Sequence, residues 1–421
     1  MIHVTEAGET IESIAYRYGV SSQSIIFNNQ LRNEKLVIGQ ALLILIPEIV
    51  YEVSAGDSLF SISQKYGISI KQILRNNLWI LQDSLHPGDV LVISYEESKK
   101  EILQIMGYAY PFILEEILNE VLLYVGKLLI FSYGFTRMGD LIPPHGEERL
   151  IQKAIKMGVD PILVLTPFSE NGTFSNQLVK AVVEDLPMQE RLIENLLLEV
   201  ESKKYRGVDI DFEYILAENR DGYAAFVRNL REVMSAKGYQ VSVALAPKIS
   251  KNQPGLLYEG VDYKALGEAA NTVFLMTYEW GYTYGPPMAV APLNKVRQVL
   301  DYAVTEIPEE KILMGIPNYG YDWPLPYESG ITKAETIGNV QAVERALEYE
   351  AVIEFDEIAK SPYFHYKADD IEHEVWFEDV RSIEAKIQLI TSYGFLGAGY
   401  WNLMRPFRAN WMYLNNMYIL E

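Results

Sequence analysis

Tyr205-Arg206-Gly207-Val208-Asp209-Ile210-Asp211-Phe212-Glu213 lies midway along a chain of 421 residues. Its polar and apolar residues alternate, so a strand here puts Asp209, Asp211 and Glu213 on one face. Three carboxylates within reach of one another cannot all ionise without at least one pKa rising. A raised, protonated carboxyl beside an ionised one suits general acid work on a poor leaving group, glycoside cleavage above all. A metal site is the rival for an acidic cluster, and a solvated strand end is the bland alternative. Spacing alone leaves all three open.

Strand-like apolar runs recur on both sides of this stretch. They are Ile102 to Met106, Leu128 to Ser132, Ile162 to Leu165, Gly207 to Glu213, Val241 to Ala246, Thr272 to Thr277, Ile312 to Ile316 and Gly397 to Trp401. Helical patterns lie between them, as at Gly146 to Lys156, Phe174 to Leu186, Met188 to Lys203, Ala224 to Ala236, Leu293 to Val304 and Val380 to Thr391. Eight strands with intervening helices predict a (β/α)8 barrel over residues 99–421. The charged stretch Glu96 to Lys100 predicts the boundary before it. Between Asn318 and Asp379 about sixty residues exceed one crossover. There Tyr363 to Lys367 and Glu374 to Phe377 predict two short strands around an acidic turn. That places a small insertion at about 320–379, on the seventh strand-to-helix connection, walling one side of the cleft. Barrel chemistry sits at the C-terminal strand ends. Those ends carry Tyr108 and Tyr110, Thr166, Asp211 and Glu213, Ala246-Pro247, Tyr278 and Glu279, Asn318 and Tyr319, and Trp401 and Asn402.

The first hundred residues repeat. Gly8-Glu9-Thr10-Ile11 returns as Gly56-Asp57-Ser58-Leu59, Tyr18-Gly19 as Tyr66-Gly67 and Asn28-Asn29 as Asn76-Asn77, all offset by 48. Each copy has a short strand, a Thr10 or Ser58 cap, an amphipathic helix ended by Gly19 or Gly67, a second helix, and a closing apolar strand. Two βααβ units, 1–47 and 49–95, follow from this. So small a unit has a thin core, and two in tandem suit a binding array. For Asn28-Asn29 and Asn76-Asn77 the reading is capping and turn-making.

The chain is 49% hydrophobic and 12% aromatic, with 29 Tyr and 6 Trp, which suits sugar stacking and core packing equally. A formal charge of -21 argues against a nucleic-acid partner. The absence of cysteine excludes disulfides, a thiolate nucleophile and Cys-ligated zinc. The five histidines form no His-x-x-x-His or His-Glu-x-x-His pattern, and no metal or other cofactor is expected. No run reaches the length of a membrane span. Met1-Ile2-His3-Val4-Thr5-Glu6 shows no basic and then apolar leader, so no classical signal peptide is expected.

The repeat residues resemble the LysM module, from Val4 through Gly8-Glu9-Thr10-Ile11 and Tyr18-Gly19 to Gly39-Gln40, and again from Gly56 to Leu91. That resemblance implies binding of glycans built from N-acetylglucosamine. It places Gly8, Glu9 and Thr10 with Gln30 and Leu31, and Gly56, Asp57 and Ser58 with the segment after Asn77, beside the sugar. The whole then reads as an α/β protein, a TIM barrel with an α+β insertion preceded by two LysM modules.

Gly207-Val208-Asp209-Ile210-Asp211-Phe212-Glu213 resembles the Asp-x-x-Asp-x-Asp-x-Glu signature of glycoside hydrolase family 18. Met276-Thr277-Tyr278-Glu279, Gly315-Ile316-Pro317-x-Tyr319-Gly320 and Gly399-Tyr400-Trp401 resemble its later strand motifs. Arg206 replaces the signature's first Asp, and Glu279 stands where the family has Asp. The resemblance implies a retaining reaction in which the substrate's own 2-acetamido oxygen is the nucleophile. By carry-over, Glu213 is the acid and then the base, Asp211 steadies the acetamido group, Asp209 tunes Asp211, and Tyr278 holds the acetamido carbonyl. Trp401 forms the floor, with Glu279, Tyr319, Asn318, Tyr108 and Met276 as further substrate contacts. Tandem LysM modules on this barrel resemble the spore cortex-lytic N-acetylglucosaminidases of endospore-forming bacteria. This implies peptidoglycan as partner and the spore as location; without that resemblance, a missing signal peptide points to the cytoplasm. An endo-acting chitinase and a non-catalytic lectin are the alternatives. Endo or exo action and oligomeric state are not legible.

Overall fold

The computed structural model describes residues 1–32, 34–96, 101–168 and 173–421. From residue 97 onward, the expected hinge over Glu96 to Lys100 lies outside the described residues. Eight parallel strands form the barrel: β1 Ile102–Ala109, β2 Lys127–Phe135, β3 Asp160–Leu165, β4 Gly207–Ile210, β5 Gln240–Leu245, β6 Thr272–Leu275, β7 Ile312–Pro317 and β8 Gly397–Trp401. Each pairs with the next, and β8 closes on β1 with Gly397 opposite Gln104. The register sets Asp209 opposite Ser242 of β5 and Val164 of β3.

The carboxylate strand is shorter than expected. β4 ends at Ile210, and only the Asp211 N–H continues the ladder, donating to Leu165 O at 3.0 Å. Asp211 to Glu213 therefore leave the sheet at the barrel rim, and Tyr214 turns the chain at φ 57°. β6 likewise stops at Leu275, before the expected Thr277. Four further helices lie outside the stretches named from the sequence: Glu115–Val121, Tyr263–Ala269, Asn339–Glu348 and Arg408–Met417. The last is buried almost all round, from Ala409 to Asn416, so it shows no polar face from which to read a period.

The insertion is larger than two strands. It is a five-stranded antiparallel sheet ordered Glu335–Ile337, Gly320–Leu325, Ile371–Trp376, Ser361–Ala368 and Glu354–Asp356, with the Asn339–Glu348 helix packed on it. The acidic turn is Asp369-Asp370, both at positive φ.

Each N-terminal unit is a two-stranded antiparallel sheet, Ile2–Val4 with Ala41–Leu43 and Pro47–Glu52 with Val90–Tyr95, holding two helices. Thr10 and Ser58 cap their helices reciprocally with Ser13 and Ser61, and Gly19 and Gly67 end them at φ 68° and 66°. The second asparagine of each pair caps its helix and also reaches the closing strand. Asn77 Nδ2 donates to Ile73 O (2.9 Å) and Val92 O (2.8 Å), while its Oδ1 accepts from Val92 N–H (2.8 Å). Asn29 repeats this with Ile25 and Leu43. One side chain thus ties the second helix to the closing strand in both units.

Both units rest on the Arg408–Met417 helix. Arg408 N–H donates to Gln30 Oε1 at 2.7 Å, and Asn415 Nδ2 donates to Asn76 Oδ1 at 3.0 Å. Arg75 Nε donates to Leu123 O at 2.6 Å. Asn77→Ala strands the buried Val92 N–H and a helix carbonyl, so it should destabilise the second unit by about 2 kcal/mol or more. Chemical denaturation of the variant against the parent chain measures this.

Candidate active site

Asp209 is the innermost carboxylate and is fully buried inside the barrel. Tyr108 OH donates to its Oδ2 at 2.8 Å, and Ser242 Oγ donates to its Oδ1 at 2.5 Å. Burial raises its pKa; the two hydroxyls and the charge of Lys127 on β2 pull it back. Asp211 is also buried, and its Oδ1 has no hydrogen-bond partner. Burial first, then the charges of Glu213 and Asp209, push its pKa well up. Glu213 sits outermost, half-buried, its pKa pushed up to about 7 by burial and then by the charge of Glu279.

Glu279 follows β6 in a left-handed conformation, φ 67°, which a non-glycine residue rarely adopts. Two phenols hold its side chain. Tyr319 OH donates to Oε1, and Tyr321 OH lies 3.0 Å and 3.2 Å from its two oxygens. Burial raises its pKa and the phenols lower it. Tyr278, beside it, is buried with its own pKa raised well above the phenol range by burial and by Asp211. Trp401 ends β8, half-buried, with Phe131, Tyr108 and Tyr110 edge-on at 4.9, 5.5 and 6.2 Å between ring centroids. Phe112 stacks on Tyr110 at 5.1 Å and is 73% exposed.

Several expected roles change. Tyr108 is buried behind Asp209 and supports it instead of lining the cleft. Asn318 is buried too; its Nδ2 donates to Asn402 O (3.0 Å) and Arg405 O (2.9 Å), and its Oδ1 accepts from Asn339 (3.3 Å). Its polar atoms hold the loop after Trp401, which leaves none for a sugar. Met276 is half-buried at the end of β6. Tyr321 was missed, because an alternating strand gives no sign of which phenol reaches back to β6. Arg206 points away from the cleft. It is exposed at the base of the barrel, 3.9 Å from Asp160 Oδ1, and so cannot act on Asp209 from behind as an Asp would. Tyr108 and Ser242 support Asp209 instead.

In the N-terminal units the acidic turn residues serve the turn. Glu9 accepts from Glu6 N–H (2.8 Å) and pairs with His3 and Arg17; Asp57 accepts from Tyr51 OH (2.6 Å) and Ser54 N–H (2.8 Å). Gly8 and Gly56 are exposed at φ 83° and 92°. Thr10 and Ser58 spend their hydroxyls as caps while staying exposed. Gln30 faces Arg408, and Leu31 packs on the unit's own core. Among the described residues, no group of His, Asp and Glu is placed to hold a metal ion, and no helix is long and apolar enough to cross a membrane.

A buried row of carboxylates ending in one acid of raised pKa, above an aromatic floor at the mouth of a β/α barrel, defines a glycosidase. The chain belongs to the glycosyl hydrolases family 18, whose model matches residues 171–405, and carries two LysM domains at 3–45 and 51–94. It is 38% identical to the cortical fragment-lytic enzyme of Bacillus subtilis (strain 168) over 425 residues, 99% of this chain and 98% of that protein. The crystal structure of the Bacillus cereus spore cortex-lytic enzyme SleL superposes with a TM-score of 0.85 at 35% identity, covering 100% of this chain and 98% of that one. A chitinase from Chromobacterium violaceum aligns with a TM-score of 0.70 at 25% identity over 75% of this chain and 98% of that one.

A raised acid stabilises the fold only while protonated, so this contribution is lost as pH rises through about 7. Glu213→Gln should therefore be more stable than the parent at pH 8, by about 1–3 kcal/mol, with no gain below the ordinary glutamate pKa. Thermal unfolding at pH 4.5 and 8 checks the sign.

Proposed function

We propose that this glycosidase cleaves the bond following N-acetylglucosamine in peptidoglycan, that of the spore cortex, by substrate-assisted catalysis. The observation that carries the reading is the row Asp209, Asp211, Glu213 running from the barrel interior to its rim, where burial pushes all three acids up and Glu213, at the rim, is pushed up to about 7. Similarity to cortex-lytic enzymes along nearly the whole chain supports the substrate and the spore location.

Glu213 protonates the glycosidic oxygen as the bond breaks. The 2-acetamido oxygen attacks the anomeric carbon and gives an oxazolinium ion, so no protein nucleophile is needed. Asp211 is buried with its Oδ1 free, which suits it to accept the acetamido N–H and orient the group. Asp209, held by Tyr108 and Ser242, lies beneath it and keeps two hydroxyl donors turned toward the row. Tyr278 donates to the acetamido carbonyl, and Trp401 lies under the sugar ring. Glu213 then takes a proton from the water that opens the oxazolinium. Glu279, fixed by Tyr319 and Tyr321, keeps Glu213 from losing its proton too early. The LysM units hold the polymer through the turns at Gly8 to Thr10 and Gly56 to Ser58.

Glu213→Gln should lose about 10²–10⁴-fold or more in kcat while still binding cortex glycan. Turnover of muropeptide-bearing cortex fragments, with mass analysis of the products and their reducing ends, tests both parts. A Glu213→Gln protein with full activity overturns the mechanism. Equal rates on chitin oligomers and cortex fragments would assign a general chitooligosaccharide hydrolase instead.

A further inference from the structure

The first LysM unit and the barrel insertion share one small apolar core. Buried Val37 of the unit packs with Ile337, Ala342, Ala346, Ile353 and Phe364 of the insertion. Thr5 Oγ1 donates to the Val37 carbonyl, and Val37 N–H donates to Gln40 Oε1 at 3.1 Å, so both backbone polar groups are satisfied inside the unit. The backbones are joined as well. Ile353 N–H donates to Ile38 O at 2.9 Å, and Arg381 Nη2 donates to Gly39 O at 3.2 Å. Gly39 approaches so closely, at φ 83°, that a Cβ there would lie 1.8 Å from Ile353 O.

The Asn339–Glu348 helix lies between this contact and the cleft. Val340, Val343, Glu344 and Leu347 recur at three- and four-residue spacing and form one stripe. That stripe lines a cavity of about 310 Å³ whose other wall includes Gln30 and Leu31 of the unit. Arg32 pairs with Glu344 across it at 2.5 Å. Elsewhere on the helix, Asn339 bonds Asn318, which holds the loop after Trp401. Arg345 pairs with Asp322, the residue after Tyr321. Tyr321 and Tyr319 grip Glu279.

We propose that the first LysM unit is a working part of the catalytic body: it seats the Asn339–Glu348 helix, which fixes the loop after Trp401 and the Tyr319–Tyr321 grip on Glu279. The inference rests on Glu213 being the acid. Val37 and Gly39 are positioning residues, acting through the insertion. Loss of their contacts should therefore slow even a substrate held wholly within the cleft.

The test uses the full chain and an aryl glycoside of di-N-acetylchitobiose. Val37→Ala and Gly39→Val should each lower kcat at least threefold with KM little changed. The basic limb of the kcat–pH profile should move to lower pH, because a loosened Glu279 no longer holds the Glu213 proton as firmly. Val37→Ile should restore the parent profile. Gly88→Ala, at φ 95° in the second unit, brings backbone strain like that at Gly39 but has no atom within 4 Å of its Cβ position, so it should leave both readings of the folded protein unchanged. If Gly39→Val does not fold, Val37→Ala, which removes only two methyl groups, decides. A folded Val37→Ala protein with parental kcat and pH profile overturns the proposal. That result leaves the acid assignment intact as long as Glu213→Gln is inactive on the same substrate.

Discussion

Asp209 lies inside a closed barrel and Asp211 is buried at its rim. The cost of ionising them there governs the chemistry at the rim. Asp209 is offset by two hydroxyl donors and by Lys127, whereas Asp211 has a free oxygen and a negative neighbour on either side. Asp211 is pushed well up by that burial and by its neighbours' charges, and Glu213 at the rim is pushed up to about 7 by burial and by the charge of Glu279. A carboxylate row on an open sheet would be wet, and its members would titrate as ordinary acids.

The backbone adapts to the same demand. Tyr214 and Glu279, at the rim of neighbouring parts of the barrel, both take left-handed conformations that cost free energy outside glycine. Each lets a side chain turn into the cleft just past the end of its strand. At Glu279 the surrounding structure that fixes this geometry is the insertion, through Tyr319 and Tyr321. The insertion in turn shares its core with the first LysM unit. The two N-terminal units thus differ in their surroundings despite matching folds. Both rest on the Arg408–Met417 helix, but the first is also built into the insertion.

Much of this was legible in the residues. Alternation in Gly207 to Glu213 gave the shared face, the recurrence of Gly-acid-Thr/Ser and Asn-Asn gave the two units, and spaced apolar runs gave eight strands. These are local signals: a period of two, a period near 3.6, and caps and turns whose chemistry is complete within a few residues. The helix Arg408–Met417 was hidden because burial on all sides erases the period. Of the three further strands in the insertion's sheet, Glu335–Ile337 and Glu354–Asp356 are edges too short to alternate visibly, and Gly320–Leu325 carries Pro324, which argues against a strand when read locally.

The sequence by itself determined that three carboxylates fall on and just past one barrel strand and that two small modules precede them, since each of these depends on neighbours in the chain. Only the tertiary structure decided which side chains those carboxylates meet. It turned Tyr108 and Asn318 from sugar contacts into supports, brought Tyr321 to Glu279, and placed Arg206 at the base beside Asp160. The reason is physical: these partners are joined across the sheet register and an insertion, and pairings between residues so far apart in the chain leave no local period to read.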